Sequence, residues 1–157
     1  MSRLKRMRGV YTIVLMLEKS LRIKIGRLGL KNFREGFYAY VGSGLGRGSS
    51  SVLGRLRRHL KRGKKLFWHM DYLSSHKGVK ILEVFYAETD FKMECVLNNE
   101  IWKTLRRNFF IKGFGSSDCN CESHLTWIGN KISIDRVKES IKKAYKNVGL
   151  KALELTK

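Results

Sequence analysis

Residues 54–65 are rich in lysine and arginine and contain no acid, which makes them the most basic segment of the chain. A helix is predicted from about Ser51 to Arg62 because apolar residues recur on one of its faces, namely Val52, Leu53, Leu56 and Leu60. Arg55 and His59 lie one turn apart at the edge of that face. Packing would therefore hold both side chains at the boundary between core and water, a position that suits groups meeting a phosphate with fixed geometry. Pairing of Arg55 with a buried carboxylate is the alternative.

The other cations of this segment do not need a fixed side-chain orientation. They need only contact a nucleic-acid backbone and release its counterions, so side-chain orientation matters little. The sequence predicts that role for Arg57, Arg58, Lys61, Arg62, Lys64 and Lys65, with Arg57 and Arg58 pointing to solvent.

Glu94 is an acid within the apolar face of a second predicted helix, which runs from about Phe91 to Arg106. That face consists of Met93, Leu97, Ile101 and Leu105. A carboxylate directed into an apolar surface costs several kcal/mol unless a cation or a hydrogen-bond donor receives it. The receiver is either an arginine or a divalent metal, since Mg²⁺ is commonly held by one or two carboxylates with waters and substrate phosphate.

A short segment late in the chain concentrates possible metal ligands, and the helix of Glu94 adds one more cysteine: Asp118, Cys119, Cys121, His124 and Cys95. The three cysteines and the histidine form a possible Cys₃His zinc set. We favour small buried thiols packed beneath the active site, because Cys119 and Cys121 are closer in sequence than the usual C-x₂-C pair. Upstream, His69 and Asp71 are predicted either to orient catalytic groups or to cap a short helix.

The charge balance of the chain narrows the choice of partner. Its 157 residues include 33 Lys and Arg against 13 Asp and Glu, for a formal net charge of +20. This excess indicates a polyanionic partner, most of all DNA, with RNA and an anionic membrane surface as alternatives. The longest apolar run, 10–17, is shorter than the roughly 20 residues of a spanning helix, so no membrane role is expected. Three cysteines are too few for a disulfide framework, which favours a cytoplasmic location.

The elements that must position these residues are strands interleaved with helices. Residues 9–17 form a continuous apolar run, as in a strand buried on both faces. Residues 37–42 alternate, with Tyr38, Tyr40 and Gly42 on one face of a strand. Further strands are predicted at 21–25, 79–86 and 125–128, and Ser133 is a suitable N-cap for a last helix at about 133–149. We expect one domain over 1–157, with an α+β fold in which a small mixed or antiparallel β-sheet is flanked by helices.

Five ordered sequence blocks resemble the GIY-YIG nuclease superfamily. Gly9-Val10-Tyr11 and Tyr40-Val41-Gly42 are similar to its two half-motifs, and Arg55 and His59 follow on the next helix. The closer similarity is to a little-characterised archaeal and bacterial branch, whose domain also occurs fused to endonuclease-III-type DNA glycosylases. Its signatures stand here as YAYVGSG (38–44), RRHL (57–60), FWHMDYL (67–73), MECVL (93–97) and FGSSDCNCESHL (114–125). The half-motifs lie further apart than is usual, which indicates an insertion at about 18–36 that adds hairpin length at the sheet edge.

The resemblance implies metal-dependent hydrolysis of a phosphodiester. Glu94 would bind one Mg²⁺ or Mn²⁺ ion, and Arg55 would grip the scissile phosphate with its planar donor fork. Tyr11 would accept the proton of the attacking water or orient that water, which requires Arg55 or the metal to lower the phenol pKa. Tyr40 and His59 would complete the hydrogen-bonding network.

The resemblance therefore implies a DNA endonuclease, with repair and the cleavage of particular DNA structures as candidate roles. Two other functions remain open. A nucleic-acid-binding module with the same fold and no cleavage activity accounts equally well for the positive charge. An enzyme for small anionic substrates accounts for the anion chemistry but leaves the breadth of the basic surface unexplained.

Overall fold

A computed structural model describes residues 6–61, 63–105, 111–117 and 119–155. Its main sheet has five antiparallel strands in the order β6-β4-β1-β5-β7. Their bounds are Gly9–Leu17 (β1), Gly36–Gly44 (β4), Val79–Glu88 (β5), Leu125–Gly129 (β6) and Leu153–Glu154 (β7). The fold is α+β, as the sequence predicted, and the sheet is antiparallel rather than mixed.

The insertion between the two tyrosine strands forms a hairpin of its own. Strands Leu21–Lys24 (β2) and Leu30–Phe33 (β3) pair with each other in a separate two-stranded sheet. The expectation that this segment lengthens the edge of the main sheet is therefore wrong. Its buried Ile23, Ile25 and Phe33 pack into the core, which explains why the hairpin turns toward the main sheet instead of extending it.

Four α-helices lie wholly within the described residues and cover the two faces of the main sheet. They are Val52–Leu60 (α1), His69–Ser74 (α2), Glu94–Leu105 (α3) and Ile134–Asn147 (α4). Residues of α1, α2 and the β2–β3 hairpin share one apolar cluster, whereas those of α3 and α4 share the other. The side chain of Ser133 caps α4 by accepting a hydrogen bond from the backbone N–H of Arg136, as the sequence indicated.

The central strands separate their side chains between these two clusters. Tyr11 and Ile13 of β1 point to the α1 and α2 side, while Val10 and Val14 point to the α3 and α4 side. β1 is thus buried on both faces, and the predicted alternation of β4 is confirmed, with Tyr38 and Tyr40 opposite to Ala39 and Val41. Both candidate tyrosines consequently face α1, the helix that carries Arg55 and His59.

No helix among the described residues combines the length and the apolar character needed to cross a lipid bilayer.

Candidate active site

Tyr11 and His59 meet beneath helix α1. The phenol hydroxyl of Tyr11 hydrogen-bonds Nε2 of His59 at 2.7 Å, and the two rings lie 5.5 Å apart between centroids. Both side chains are almost completely buried. His59 reaches this depth because the buried positions of α1 are Val52, Leu56 and His59, whose i, i+4, i+7 spacing defines one face of a helix. The predicted stripe is wrong at its end, since Leu60 is exposed and His59 takes the buried place.

Gly42 leaves the space that the Tyr11 phenol occupies. The two residues are direct partners across the β1–β4 pair. A Cβ atom at position 42 would lie 2.5 Å from the hydroxyl oxygen of Tyr11 and 2.6 Å from the ring carbon that bears it. The absence of a side chain at Gly42 in the YVG motif therefore lets the Tyr11 phenol pass close to strand β4.

Tyr40 lies on the same face of the sheet and packs edge-on against two rings. Its ring centroid is 5.7 Å from that of His59 and 5.9 Å from that of Phe114. Gly115 accommodates it, because a Cβ there would approach the Tyr40 ring at 2.9 Å and the backbone has a φ of +68°. The loop before β6 thus helps to set the position of Tyr40.

Arg55 lies against the indole of Trp68 rather than in an ion pair. Its guanidinium carbon is 5.1 Å from the centroid of the Trp68 ring. Within the part of the chain that the structure describes, Arg55 makes no salt bridge, and its buried Nε has no hydrogen-bond partner. Pairing of Arg55 with a buried carboxylate is not observed there. A guanidinium that is oriented by packing but not neutralised is well suited to receive a phosphate.

Glu94 belongs to α3, which packs on the opposite face of the sheet from α1. It is the first residue of α3, which begins later than predicted, and it is only 9% exposed. Its carboxylate accepts a hydrogen bond from Ser43 at the end of β4, and the ammonium of Lys92 lies 3.6 Å away. Lys92 is more than half exposed, so the neighbouring cation is a solvated lysine and not a buried arginine.

The pKa of the Tyr11 phenol reports on how these groups surround it. Burial raises that pKa well above the ordinary value, and the nearby phenol of Tyr40 and carboxylate of Glu94 raise it further. The positive charge of Arg55 lowers it, though by less. Arg55 thus acts on the phenol pKa in the predicted direction, but desolvation dominates and the net pKa is raised.

The partner imidazole is held in its neutral form. Burial lowers the pKa of His59 to about 3, and the neighbouring positive charges of Lys64, Arg55 and Arg58 contribute to the decrease. Nδ1 of His59 is buried and has no hydrogen-bond partner among the described residues. Tyr11, Tyr40, Arg55, His59 and Glu94 are called the Tyr11 cluster below.

The predicted nucleic-acid contacts divide into exposed and internal groups. Arg57, Lys61 and Lys65 are exposed, and Arg57 lines an open pocket of about 360 Å³ beside α1. We call these three residues the basic surface. Arg62 lies outside the described residues.

Two of the cations predicted to lie on the surface, Lys64 and Arg58, instead form hydrogen bonds within the fold. The Lys64 side chain is only 3% exposed, and its ammonium donates to the backbone carbonyls of Arg58 and His59 and to the hydroxyl of Ser74. Arg58 donates to the buried Asp71 carboxylate at 2.8 Å instead of pointing freely to solvent. The prediction of phosphate contacts is thus wrong for Lys64, whose ammonium caps the end of α1.

Asp71 caps helix α2, which was one of its two predicted roles. Its carboxylate accepts hydrogen bonds from the backbone N–H groups of Phe67 and Trp68. Burial raises the pKa of Asp71, but the hydrogen bonds from Arg58 and from these amides outweigh that effect, so the net pKa lies below its usual value. Asp71 therefore joins α1 to α2 and steadies the helix that carries His59.

His69 reaches the site through Phe114 and Gly115, both of which lie next to Tyr40. Its Nδ1 accepts a hydrogen bond from the backbone N–H of Gly115, and its ring lies 5.6 Å from that of Phe114, which in turn packs on Tyr40. His69 is thus a positioning residue for Tyr40. Asp118, the other acid singled out in this region, lies outside the described residues.

The cysteines and His124 come together next to Glu94. The ligand atoms of Cys95, Cys119, Cys121 and His124 all lie within 4.8 Å of one another. We call these four residues the Cys₃His cluster. The three thiols are half-buried rather than fully buried, which differs from the packing interpretation favoured by the sequence.

Three residues near the site were not singled out from the sequence. Ser43, in the YVGSG block, binds Glu94 and belongs to the opposite face of β4 from Tyr40. Phe67 and Phe91 are 76% and 75% exposed, beside Trp68 and shortly before Glu94 respectively. Exposed aromatic rings of this kind can stack on nucleobases. Both phenylalanines lie outside the apolar periodicity of the helices, and this is the sequence signal that could have identified them.

The chain matches the family described as a domain of unknown function, DUF123, over residues 10–149, and it belongs to that family. The matched range includes the Tyr11 cluster and the Cys₃His cluster. No significant match is found among curated proteins or among solved structures.

Proposed function

We propose that this protein is a metal-dependent endonuclease that hydrolyses phosphodiester bonds in DNA, with an active site of the GIY-YIG kind. The observation that supports it most is the contact between the Tyr11 phenol of β1 and His59 of α1, against which the ring of Tyr40 from β4 packs. Arg55 and Glu94 both act on the pKa of the same phenol, Arg55 lowering it and Glu94 raising it. The order of these residues along the chain is that of the GIY-YIG motifs, which is independent support for the same conclusion.

Glu94 is the residue that would hold the divalent ion, Mg²⁺ or Mn²⁺. One carboxylate suffices for such an ion when water and the substrate phosphate provide the other oxygens. The carboxylate is ordered by Ser43, and its cationic neighbour Lys92 is exposed and can withdraw into solvent. When bound, the ion neutralises negative charge that develops on the departing oxygen.

Tyr11 and His59 together would manage the proton of the attacking water. The raised pKa keeps the phenol protonated at neutral pH, so Tyr11 alone is a poor base. The neutral imidazole of His59, 2.7 Å away, can take the phenolic proton while the phenol oxygen takes one from water. Burial is the main cause that disfavours protonated His59, and the negative charge of a bound phosphate would offset the smaller contribution of the neighbouring cations.

Arg55 would bind the scissile phosphate. Its guanidinium has no carboxylate partner within the described residues and is oriented by the Trp68 ring. Charge-assisted hydrogen bonds from such a group stabilise the additional negative charge that phosphorus carries in the transition state. The basic surface of Arg57, Lys61 and Lys65 would hold the flanking backbone by charge alone.

Cleavage of labelled duplex, nicked, flap and four-way-junction DNA, with Mg²⁺ and with a chelator, tests the proposal. We expect at least one substrate to be cut with Mg²⁺ or Mn²⁺ and none with the chelator. Glu94→Gln should lower the rate by about 100-fold or more, and Glu100→Gln is the matched control because it changes another acid of α3. Full activity of Glu94→Gln would remove the metal assignment.

Tight binding of DNA with no cleavage of any substrate would instead support a nucleic-acid-binding module that has the same fold. In that case Glu94→Gln should not weaken binding, and the salt dependence of affinity should persist unchanged.

A further inference from the structure

The Cys₃His cluster draws its four members from separate parts of the chain. Cys95 lies in the first turn of α3, directly after Glu94, whereas Cys119, Cys121 and His124 lie in the loop that leads into β6. Thiols and an imidazole gathered from an α-helix and a loop are not explained by apolar packing, since all three cysteines remain half-exposed. Packing in the hydrophobic core therefore does not account for this arrangement.

The distances from the His124 nitrogen to two of the sulfurs match those of a tetrahedral zinc site. Nε2 of His124 lies 3.6 Å from Sγ of Cys95 and 3.4 Å from Sγ of Cys119. Zinc bonds of about 2.3 Å to sulfur and about 2.0–2.1 Å to nitrogen, at tetrahedral angles, separate the two atoms by about 3.6 Å. The fourth ligand atom, Sγ of Cys121, lies within 4.8 Å of the other three.

The imidazole of His124 is already oriented as a ligand. Its Nδ1 lies 3.2 Å from the backbone carbonyl of Val41 in β4, and a carbonyl only accepts. Nδ1 therefore carries the proton, and Nε2 presents its lone pair to the thiols. Donation of the other ring N–H to a backbone carbonyl is the usual means by which proteins orient a zinc-binding histidine.

The loop that presents the ligands is held by backbone hydrogen bonds. Gly113 N–H donates to the Glu122 carbonyl at 2.6 Å, and His124 N–H donates to the Phe114 carbonyl at 2.8 Å. Asn98 of α3 donates from its amide to the carbonyl of Ser123 at 2.7 Å, which joins the loop to the helix of Cys95. These hydrogen bonds hold the loop ligands close to Cys95 of α3.

We propose that Cys95, Cys119, Cys121 and His124 bind one structural zinc ion. Three sulfurs and one nitrogen within 4.8 Å of one another are the ligand set that selects zinc over Mg²⁺ or Ca²⁺, and four protein ligands leave no open position for substrate. The ion joins the start of α3 to the loop before β6. It therefore fixes Glu94 from one side and, through Phe114 and Gly115, the Tyr40 ring from the other. The proposal does not depend on the nuclease function.

Metal analysis of the full-length protein, purified under reducing conditions, tests the proposal. We expect about one zinc per chain. Cys119→Ser and Cys121→Ser should each lose most of it, whereas His76→Ala, which changes a histidine outside the cluster, should retain it. Glu94→Gln should also retain zinc, so a failed nuclease assay and a failed zinc assay are separate results.

Reconstitution with Co²⁺ makes the test independent of how well the variants fold. Replacing zinc by cobalt in the wild-type protein should produce thiolate-to-cobalt charge-transfer absorption and the visible bands of a tetrahedral ion. A wild-type protein that contains no zinc and takes up neither Zn²⁺ nor Co²⁺ would overturn the proposal. Iron with acid-labile sulfide in place of zinc would overturn it as well.

Discussion

The phenol oxygen of Tyr11 and Nε2 of His59 are 2.7 Å apart although 48 residues separate them in the chain. The contact joins the central strand of the sheet to the buried face of α1. It couples a phenol whose pKa is raised with an imidazole whose pKa is lowered, so both groups are neutral at pH 7. A proton can therefore pass between them without an ion being buried at rest.

Replacing Tyr11 by phenylalanine tests this contact. The change keeps the ring and removes the hydroxyl, which leaves a buried nitrogen of His59 without a partner. We expect the free energy of unfolding to fall by about 1–2 kcal/mol and DNA cleavage to fall by about 100-fold or more, measured by urea denaturation and by single-turnover assays.

Tyr38→Phe is the matched control for that substitution. Tyr38 lies on the same face of the sheet as Tyr40 and donates from its hydroxyl to the backbone carbonyl of Arg34. Its loss should lower stability by about 1 kcal/mol with cleavage retained. Equal loss of activity in both variants would mean that the Tyr11 hydroxyl has only a structural role.

Gly42→Ala should destabilise the protein through a clash with Tyr11. The new methyl group would overlap the phenol, and overpacking of this kind costs about 1–3 kcal/mol. In the Tyr11→Ala background these phenol contacts are removed, so the same substitution should cost much less. Additive effects in this double-mutant cycle, measured by denaturant unfolding, would show that the glycine is required for another reason.

Stability should decrease in mild acid because of His59. Its pKa is about 3 in the folded protein and about 6.5 for an exposed histidine, so between these values the unfolded chain binds more protons. The free energy of unfolding therefore falls as pH decreases from about 6.5 toward 3, by an amount on the order of 4 kcal/mol. Measurement of urea midpoints across this range checks the direction.

His59→Gln should flatten most of that pH dependence. Burial also lowers the pKa of His69, so a smaller decrease in the same direction should remain and should shrink further in the double variant with His69→Gln. In the most acidic part of the range some decrease should persist, because the pKa of Asp71 is also lowered in the fold. If the pH profile of His59→Gln were as steep as that of the wild type, the imidazole would be protonated in the fold.

Lys61→Gln and Lys64→Gln should have opposite consequences although the two lysines are three positions apart. Lys61 is exposed, so its loss should reduce the slope of log affinity for duplex DNA against log salt by about 0.9. Lys64 is internal, so its loss should leave that slope unchanged and lower the free energy of unfolding by about 2 kcal/mol. Salt titrations of binding distinguish them, and a slope that falls only for Lys64→Gln would reverse the assignment of the basic surface.

Much of the fold was predictable because its signals are local. The continuous apolar run of β1 and the alternation in β4 depend only on which neighbours share a face, and a strand alternates strictly. The N-cap of α4 at Ser133 is similarly a matter of a few adjacent residues. The pairing of the two strands in the insertion was not predictable, because a half-exposed alternating strand can pair either with the main sheet or with the strand next to it in sequence.

The sequence by itself determined the net positive charge, the strand faces that carry Tyr11 and Tyr40, and the helix that carries Arg55 and His59. Only the tertiary structure decided that His59 is buried, that Lys64 caps a helix instead of facing solvent, that Ser43 receives Glu94, and that three half-buried thiols meet His124. Local periodicity states which face of an element is apolar. Which polar groups meet across two packed elements depends on their relative placement, and that placement results from the packing of the whole core.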